Sequence, residues 1–208
     1  FIVFSGSNLI CQTSIKDAIK KFEEKYSKPE QPMVAVEAEK VELYGMMPPI
    51  LKMDATLSTL KACKHLALSS NNIEKITGLK GCERLEILSL GRNQIKKLDG
   101  VEDVAETLQE LWISYNILGS LKGVEKLSKL RVLYCAQNLI TKWADFEPLK
   151  ECKALEELIL VGNPLVDEAS KSGDYREQVA GRMPWLKKLD GAPVTDDERA
   201  AGQEKLGG

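Results

Sequence analysis

One pattern constrains this chain more than any other feature: L-x-x-L-x-L-x-x-N-x-I/L returns five times in tandem. It reads Cys63-Leu66-Leu68-Asn71-Ile73, then Leu85-Leu88-Leu90-Asn93-Ile95, then Leu108-Leu111-Ile113-Asn116-Leu118. It continues as Leu130-Leu133-Cys135-Asn138-Ile140 and Leu155-Leu158-Leu160-Asn163-Leu165. The first positions, 63, 85, 108, 130 and 155, lie 22, 23, 22 and 25 residues apart. Self-similarity at a period of this size marks an array of stacked units. One such unit cannot bury its own apolar face, so its neighbours must cover it.

Each fixed position has a physical reason. Alternate side chains of a strand point to opposite faces, so positions four and six face the core while three, five and seven face outward. The Asn at position nine sits where the chain leaves the strand. Its amide both donates and accepts, so stacked copies can satisfy backbone groups of adjacent coils. Three-residue spacing in Ile76-Leu79-Cys82, Leu98-Val101-Val104, Leu121-Val124-Leu127 and Trp143-Phe146-Leu149 suits a short helix or 3₁₀ segment. Gly78, Gly100 and Gly123 recur just before those segments, where a positive φ is needed. The predicted fold is therefore an α/β leucine-rich-repeat solenoid with short 22-residue repeats. A parallel sheet forms one face, short helices the other, and helical caps close both ends.

The ends follow from departures from the pattern. Ala38-Val41-Leu43 makes a weaker first repeat, with Met46 where Asn is expected and Pro48-Pro49 after it. Upstream, Ile15, Ala18, Ile19 and Phe22 share one helical face, and Ser14 with Asp17 reads as an N-cap. The expected division is a disordered leader over 1–13, a capping helix and linker over 14–33, the solenoid with its C-terminal cap over 34–191, and a polar tail over 192–208. Asp174 to Ala180 reads as a helix and Leu186 to Gly191 as half a repeat. Residues 195–206 can form a helix but carry too little apolar surface to dock firmly.

The 208 residues carry a formal net charge of −2, which argues against a bulk basic surface for nucleic acid or anionic lipid. No apolar run approaches the ~18 residues a membrane-spanning helix needs. Five cysteines without any C-x-x-C signal neither a disulfide framework nor a zinc site, and free thiols in a reducing cytosol are expected. Cys63, Cys82 and Cys135 fill core positions. The sole histidine, His65, faces outward, with Ser69 and Ser70 past the end of its strand, so no nucleophile-base-acid arrangement is signalled. Phosphate-loop, dinucleotide and zinc-protease motifs are absent. The chain reads as a non-enzyme with no cofactor and no metal.

What remains is the outer face of the sheet. Its third positions are His65, Ile87, Glu110, Val132 and Glu157; the fifth are Ala67, Ser89, Trp112, Tyr134 and Ile159. The seventh are Ser69, Gly91, Ser114, Ala136 and Val161, and the eighth, near the rim, Ser70, Arg92, Tyr115, Gln137 and Gly162. Outward residues of adjacent strands lie about 4.8 Å apart. Trp112, Tyr115 and Tyr134, with Ile87, Val132, Ile159 and Val161, are thus expected to form one contiguous apolar cluster. Arg92, Glu110 and Glu157 surround it. Scattered exposed apolar residues are ordinary, but aromatics aligned on neighbouring strands among charges have the composition of a protein–protein hot spot.

Several runs carry more than the generic repeat. Met47–Leu60 (MPPILKMDATLSTL) with Lys61–Ile76, Ile87–Asn93 (ILSLGRN), Leu111–Asn116 (LWISYN) and Leu186–Gly191 (LKKLDG) closely resemble the leucine-rich-repeat light chains of axonemal outer-arm dynein. The likeness runs from about Ser14 to Arg199. It implies a non-catalytic subunit of the cytoskeleton of the cilium or flagellum, a monomer within a larger complex. The implied partner is a dynein heavy chain, bound by the sheet side at its microtubule-binding domain, with tubulin close by. It also implies a functional C-terminal helix with Arg199 as a contact, although Ala192 and Thr195 stand where that family has Met and Asp. The main competing assignment is a leucine-rich-repeat regulatory subunit of a protein phosphatase, whose arrays usually run to more repeats. A spliceosomal RNA-associated protein is disfavoured by the acidic balance.

Overall fold

A computed structural model describes residues 2–5 and 8–207. The segment read as a disordered leader instead contains an antiparallel pair, β1 (Ile2–Ser5) on β2 (Asn8–Cys11), with Ser5 opposite Asn8. Ile2-Val3-Phe4 and Leu9-Ile10 are β-branched and apolar residues that favour extended pairing. Phe1, Gly6 and Ser7 lie outside the described residues. Helix α1 (Ile15–Tyr26) then starts at Ser14, whose Oγ accepts from the Asp17 N–H at 3.1 Å. Ile15, Ala18 and Phe22 are buried on the face it turns to the first coil.

Each coil contributes one short strand to a single sheet. In chain order these are β3 (Lys40–Glu42), β4 (His65–Ala67), β5 (Ile87–Ser89), β6 (Glu110–Trp112), β7 (Val132–Tyr134) and β8 (Glu157–Ile159). All pair in parallel with their sequence neighbours, and β9 (Lys188–Leu189) extends the series before β10 (Ala192–Pro193) closes it antiparallel. Register follows the repeat: His65, Ile87, Glu110, Val132 and Glu157 lie side by side, as do Leu66, Leu88, Leu111, Leu133 and Leu158. The latter five are fully buried.

The repeated asparagines form the expected ladder inside the turns. Oδ1 of Asn71, Asn93, Asn116, Asn138 and Asn163 accepts from the backbone N–H of Ile50, Ile73, Ile95, Leu118 and Ile140, at 2.9–3.2 Å. Each Nδ2 donates to the carbonyl three residues back and to its counterpart one coil earlier; Asn116, for example, reaches Ile113 and Leu90 at 3.0 Å each. All five side chains are buried. Removing one would leave backbone groups of two coils without partners, at about 1–3 kcal/mol per group. Asp190 ends the ladder: Oδ1 accepts from the N–H groups of Leu160 (2.7 Å) and Val161 (3.0 Å), and Oδ2 from the Tyr175 hydroxyl (2.8 Å).

The convex side carries 3₁₀ turns at Ala55–Thr59, Val101–Val104 and Val124–Lys126, then α2 (Trp143–Phe146) running into a 3₁₀ turn at Glu147–Glu151. The coil of Ile76, Leu79 and Cys82 crosses without a helical segment, although its spacing predicts one. Gly100 shows why glycine precedes these segments. Its φ is +98°, and a Cβ there would lie 2.0 Å from the Ile76 carbonyl oxygen.

Two features of the C-terminal cap depart from expectation. Helix α3 (Pro164–Lys171), opened by a proline in its first turn, precedes the anticipated α4 (Tyr175–Arg182). Helix α5 (Asp196–Gly207) docks on α4 despite its polar composition. Gly181 and Gly202 let the two backbones meet, since a Cβ on Gly202 would lie 2.0 Å from the Glu177 carbonyl oxygen. Ion pairs between Arg176 and Glu198, and from Lys205 to Glu177 and Asp174, flank the contact. Close approach and charge replace the apolar burial that the sequence lacks.

Candidate functional site

The strand register sets Trp112 beside Tyr134 in the fifth-position row. Their rings stack with centroids 5.9 Å apart and planes inclined by 22°. Each ring is fixed at its polar end: Trp112 Nε1 donates to Glu110 Oε2 (3.0 Å), and the Tyr134 hydroxyl donates to Glu157 Oε1 (3.1 Å). Lys188 Nζ meets the same Glu157 oxygen at 3.2 Å. The two glutamates thus orient rings rather than forming an acid–base pair. Burial, and then the bond to Glu157, raise the affinity of the Tyr134 hydroxyl for its proton.

The stack continues to His65, an outward residue that the expected cluster does not include. His65 packs edge-on against Trp112, centroids 5.5 Å apart at 73°, and its Nε2 lies 3.1 Å from Ser89 Oγ. His65 and Trp112 stand two strands apart and meet because Ser89, between them in β5, is small and buried. That small residue was the signal available in the sequence. Burial, and secondarily Lys40, hold the imidazole below its ordinary pKa. His65, Trp112 and Tyr134 are half-buried, with Ile87, Val132 and Ile159 on the same face and Val161 50% exposed beside them.

Tyr115 lies at the rim of this face. The eighth position of every coil turns the chain through positive φ. Ser70, Arg92, Tyr115 and Gln137 have φ between +54° and +59°, and Gly45 and Gly162 adopt +60° and +77°. For a residue with a Cβ this conformation costs on the order of 1 kcal/mol. It carries Tyr115 onto the rim, 49% exposed, with the Arg92 guanidinium 4.4 Å above its ring. Gln137 folds over Gly162, where a Cβ would meet its Nε2 at 2.1 Å.

Arg199 is not on this face. Its Nε and Nη2 donate to the carbonyls of Pro184 (2.8 Å) and Leu186 (3.0 Å), and Nη1 to Asp196 (2.7 Å), so it fastens α5 to the cap. The four buried thiols are unreactive: burial pushes Cys63, Cys135 and Cys152 up to about 12 and Cys82 up to about 11. Among the described residues, no group of three or more His, Cys, Asp or Glu is placed to hold a metal ion, and no helix is long and apolar enough to cross a membrane.

Comparison with known proteins agrees with the repeat. A family model described as "Leucine Rich repeats (2 copies)" matches residues 61–103 and 106–151. The chain is 58% identical over 199 residues to a Chlamydomonas reinhardtii protein named Dynein axonemal light chain 1, covering 94% of this chain and 98% of the relative. Proteins of the same name from Ciona intestinalis and Homo sapiens are each 50% identical, covering 89% and 88% of this chain and 95% and 93% of their own. Among solved structures, the Drosophila melanogaster SNF/U2A' complex contains a chain that superposes with a TM-score of 0.65 at 25% identity, covering 74% of this chain and 92% of that one. A Leptospira interrogans LRR protein, at 23% identity and a TM-score of 0.54, covers 67% of this chain and 34% of its own and shares the fold alone.

Proposed function

The chain belongs to the dynein axonemal light chain 1 family of leucine-rich-repeat proteins, and we propose that it is a non-catalytic subunit of the axonemal outer dynein arm, in the cilium or flagellum. It binds a dynein heavy chain, at the microtubule-binding domain, through the sheet face, and so modulates the motor near the tubulin surface. The observation that carries this reading is the Trp112–Tyr134 stack, two large rings pinned by Glu110 and Glu157 on a rigid sheet. Rings already fixed in orientation lose little freedom when a partner covers them, and their burial supplies most of the association energy.

Affinity of the purified chain for a recombinant heavy-chain microtubule-binding domain, measured by calorimetry, tests this. Trp112→Ala or Tyr134→Ala should each weaken binding by about 2 kcal/mol, roughly thirtyfold. Parental affinity in both variants, or preferential binding of a protein phosphatase catalytic subunit, would remove the proposal.

A further inference from the structure

The eighth-position row is costly and yet carries large side chains. Every coil turns through positive φ at that point, and the coils with Gly45 and Gly162 do so without steric cost. Ser70, Arg92, Tyr115 and Gln137 accept the strain in four successive coils, and Arg92 and Tyr115 are the two of them whose side chains meet as a cation on a ring. A strained backbone that the fold could have relieved with glycine points to a use for the side chain it displays.

The charge of Arg92 narrows that use. Among the described residues, Arg131, Arg176, Arg182 and Arg199 each hold a carboxylate of this chain, on Glu156, Glu198, Glu147 and Asp196, while Arg84 and Arg92 hold none. Of these two, Arg92 lies over the exposed ring of Tyr115. A guanidinium resting on an aromatic face keeps its N–H groups in the guanidinium plane, directed sideways, in the fork that matches a carboxylate. The ring also restricts the long side chain before any partner arrives, which lowers the entropy lost on binding.

We infer that Arg92, seated on Tyr115, is a specificity-determining contact that takes an aspartate or glutamate side chain of the docked heavy chain, at the rim of the interface centred on Trp112. This rests on the sheet face being the docking surface. The rings supply affinity for apolar surface; the rim pair reads charge and sets the register in which that surface is laid down.

The test compares Arg92→Gln, Arg92→Gly and Trp112→Ala in the full chain, by affinity for the recombinant microtubule-binding domain at low and high salt and by melting temperature. Arg92→Gln should lose about tenfold at low salt, with the loss shrinking as salt rises, because an exposed charge pair is screened. Arg92→Gly should lose as much while its melting temperature stays level or rises, since glycine relieves the backbone strain. Parental affinity in both Arg92 variants beside a weakened Trp112→Ala overturns the inference and leaves the docking face in place. Parental affinity in all three removes the docking face and the inference with it. A fall in melting temperature in Arg92→Gly also overturns it, because Arg92 would then serve the fold.

Discussion

The first and last helices of the chain are held by different physics. Helix α1 covers the first coil with Ile15, Ala18 and Phe22, all buried in the continuous core. Helix α5 covers α4 with Gly202 against Gly181, and holds on through Arg176–Glu198, Lys205–Glu177 and the carbonyl bonds of Arg199. Helix α1 is held by removing apolar surface from water, as are α3 and α4 with Leu165, Val179 and Met183 at the other end, a contribution that salt and pH barely touch. The docking of α5 on α4 depends on close backbone fit and charge. Closure by burial belongs to the array itself, whereas closure by charge and fit makes an element that conditions can loosen.

The strongest challenge to this contrast is at the N-terminal end. Phe22→Ala should destabilise the whole chain by about 3–5 kcal/mol, read as a lower midpoint in denaturant for the entire transition. If only α1 frayed while the array unfolded as before, α1 would be an appendage and the contrast would fail.

A smaller, local effect is expected at the other end. Gly202→Ala places a methyl group against the Glu177 carbonyl and should weaken α5 docking by about 1–3 kcal/mol. Amide exchange should quicken in α5 while the asparagine-ladder amides of Ile73 and Ile95 keep their protection. Faster exchange in the ladder would show that α5 supports the core.

The smallest effect is a pH response. Arg176 holds the Glu198 carboxyl below the ordinary glutamate range, so the folded cap binds that proton less readily than an unfolded chain does. Its contribution is whole above the usual glutamate pKa and is lost as pH falls through the lowered folded value. Titration from about pH 6 to about pH 3 should therefore loosen α5 before α1, seen as earlier loss of α5 amide protection. Simultaneous loosening would show that the ion pair contributes nothing to docking.

The same division separates what was legible in the sequence from what was not. The five ladder asparagines, the glycine turns and the α1 face were readable because each depends on spacing within one coil or one helix. The docking of α5 was not, because a glycine in a polar segment does not say which backbone it will meet. Helix α3 was missed because Pro164 and Leu165 were read as the end of a repeat, when the same residues open a helix. On the sheet face, the row assignments of Trp112, Tyr134 and Ile159 were readable from two-residue alternation. The link from His65 to Trp112 across Ser89 was not, since it joins residues 47 positions apart through a gap in side-chain size.

By itself the sequence determined how many coils stack, where each strand begins and which side chains point away from the core. Those properties follow from the strand's alternation and the repeat length, and every coil restates them. Only the tertiary structure decided which outward side chains touch, that Tyr115 carries the Arg92 guanidinium on its ring, and that Arg199 serves the cap. Contacts of that kind depend on side-chain size one or two coils away and on a single backbone angle at the rim, neither of which a periodic pattern records.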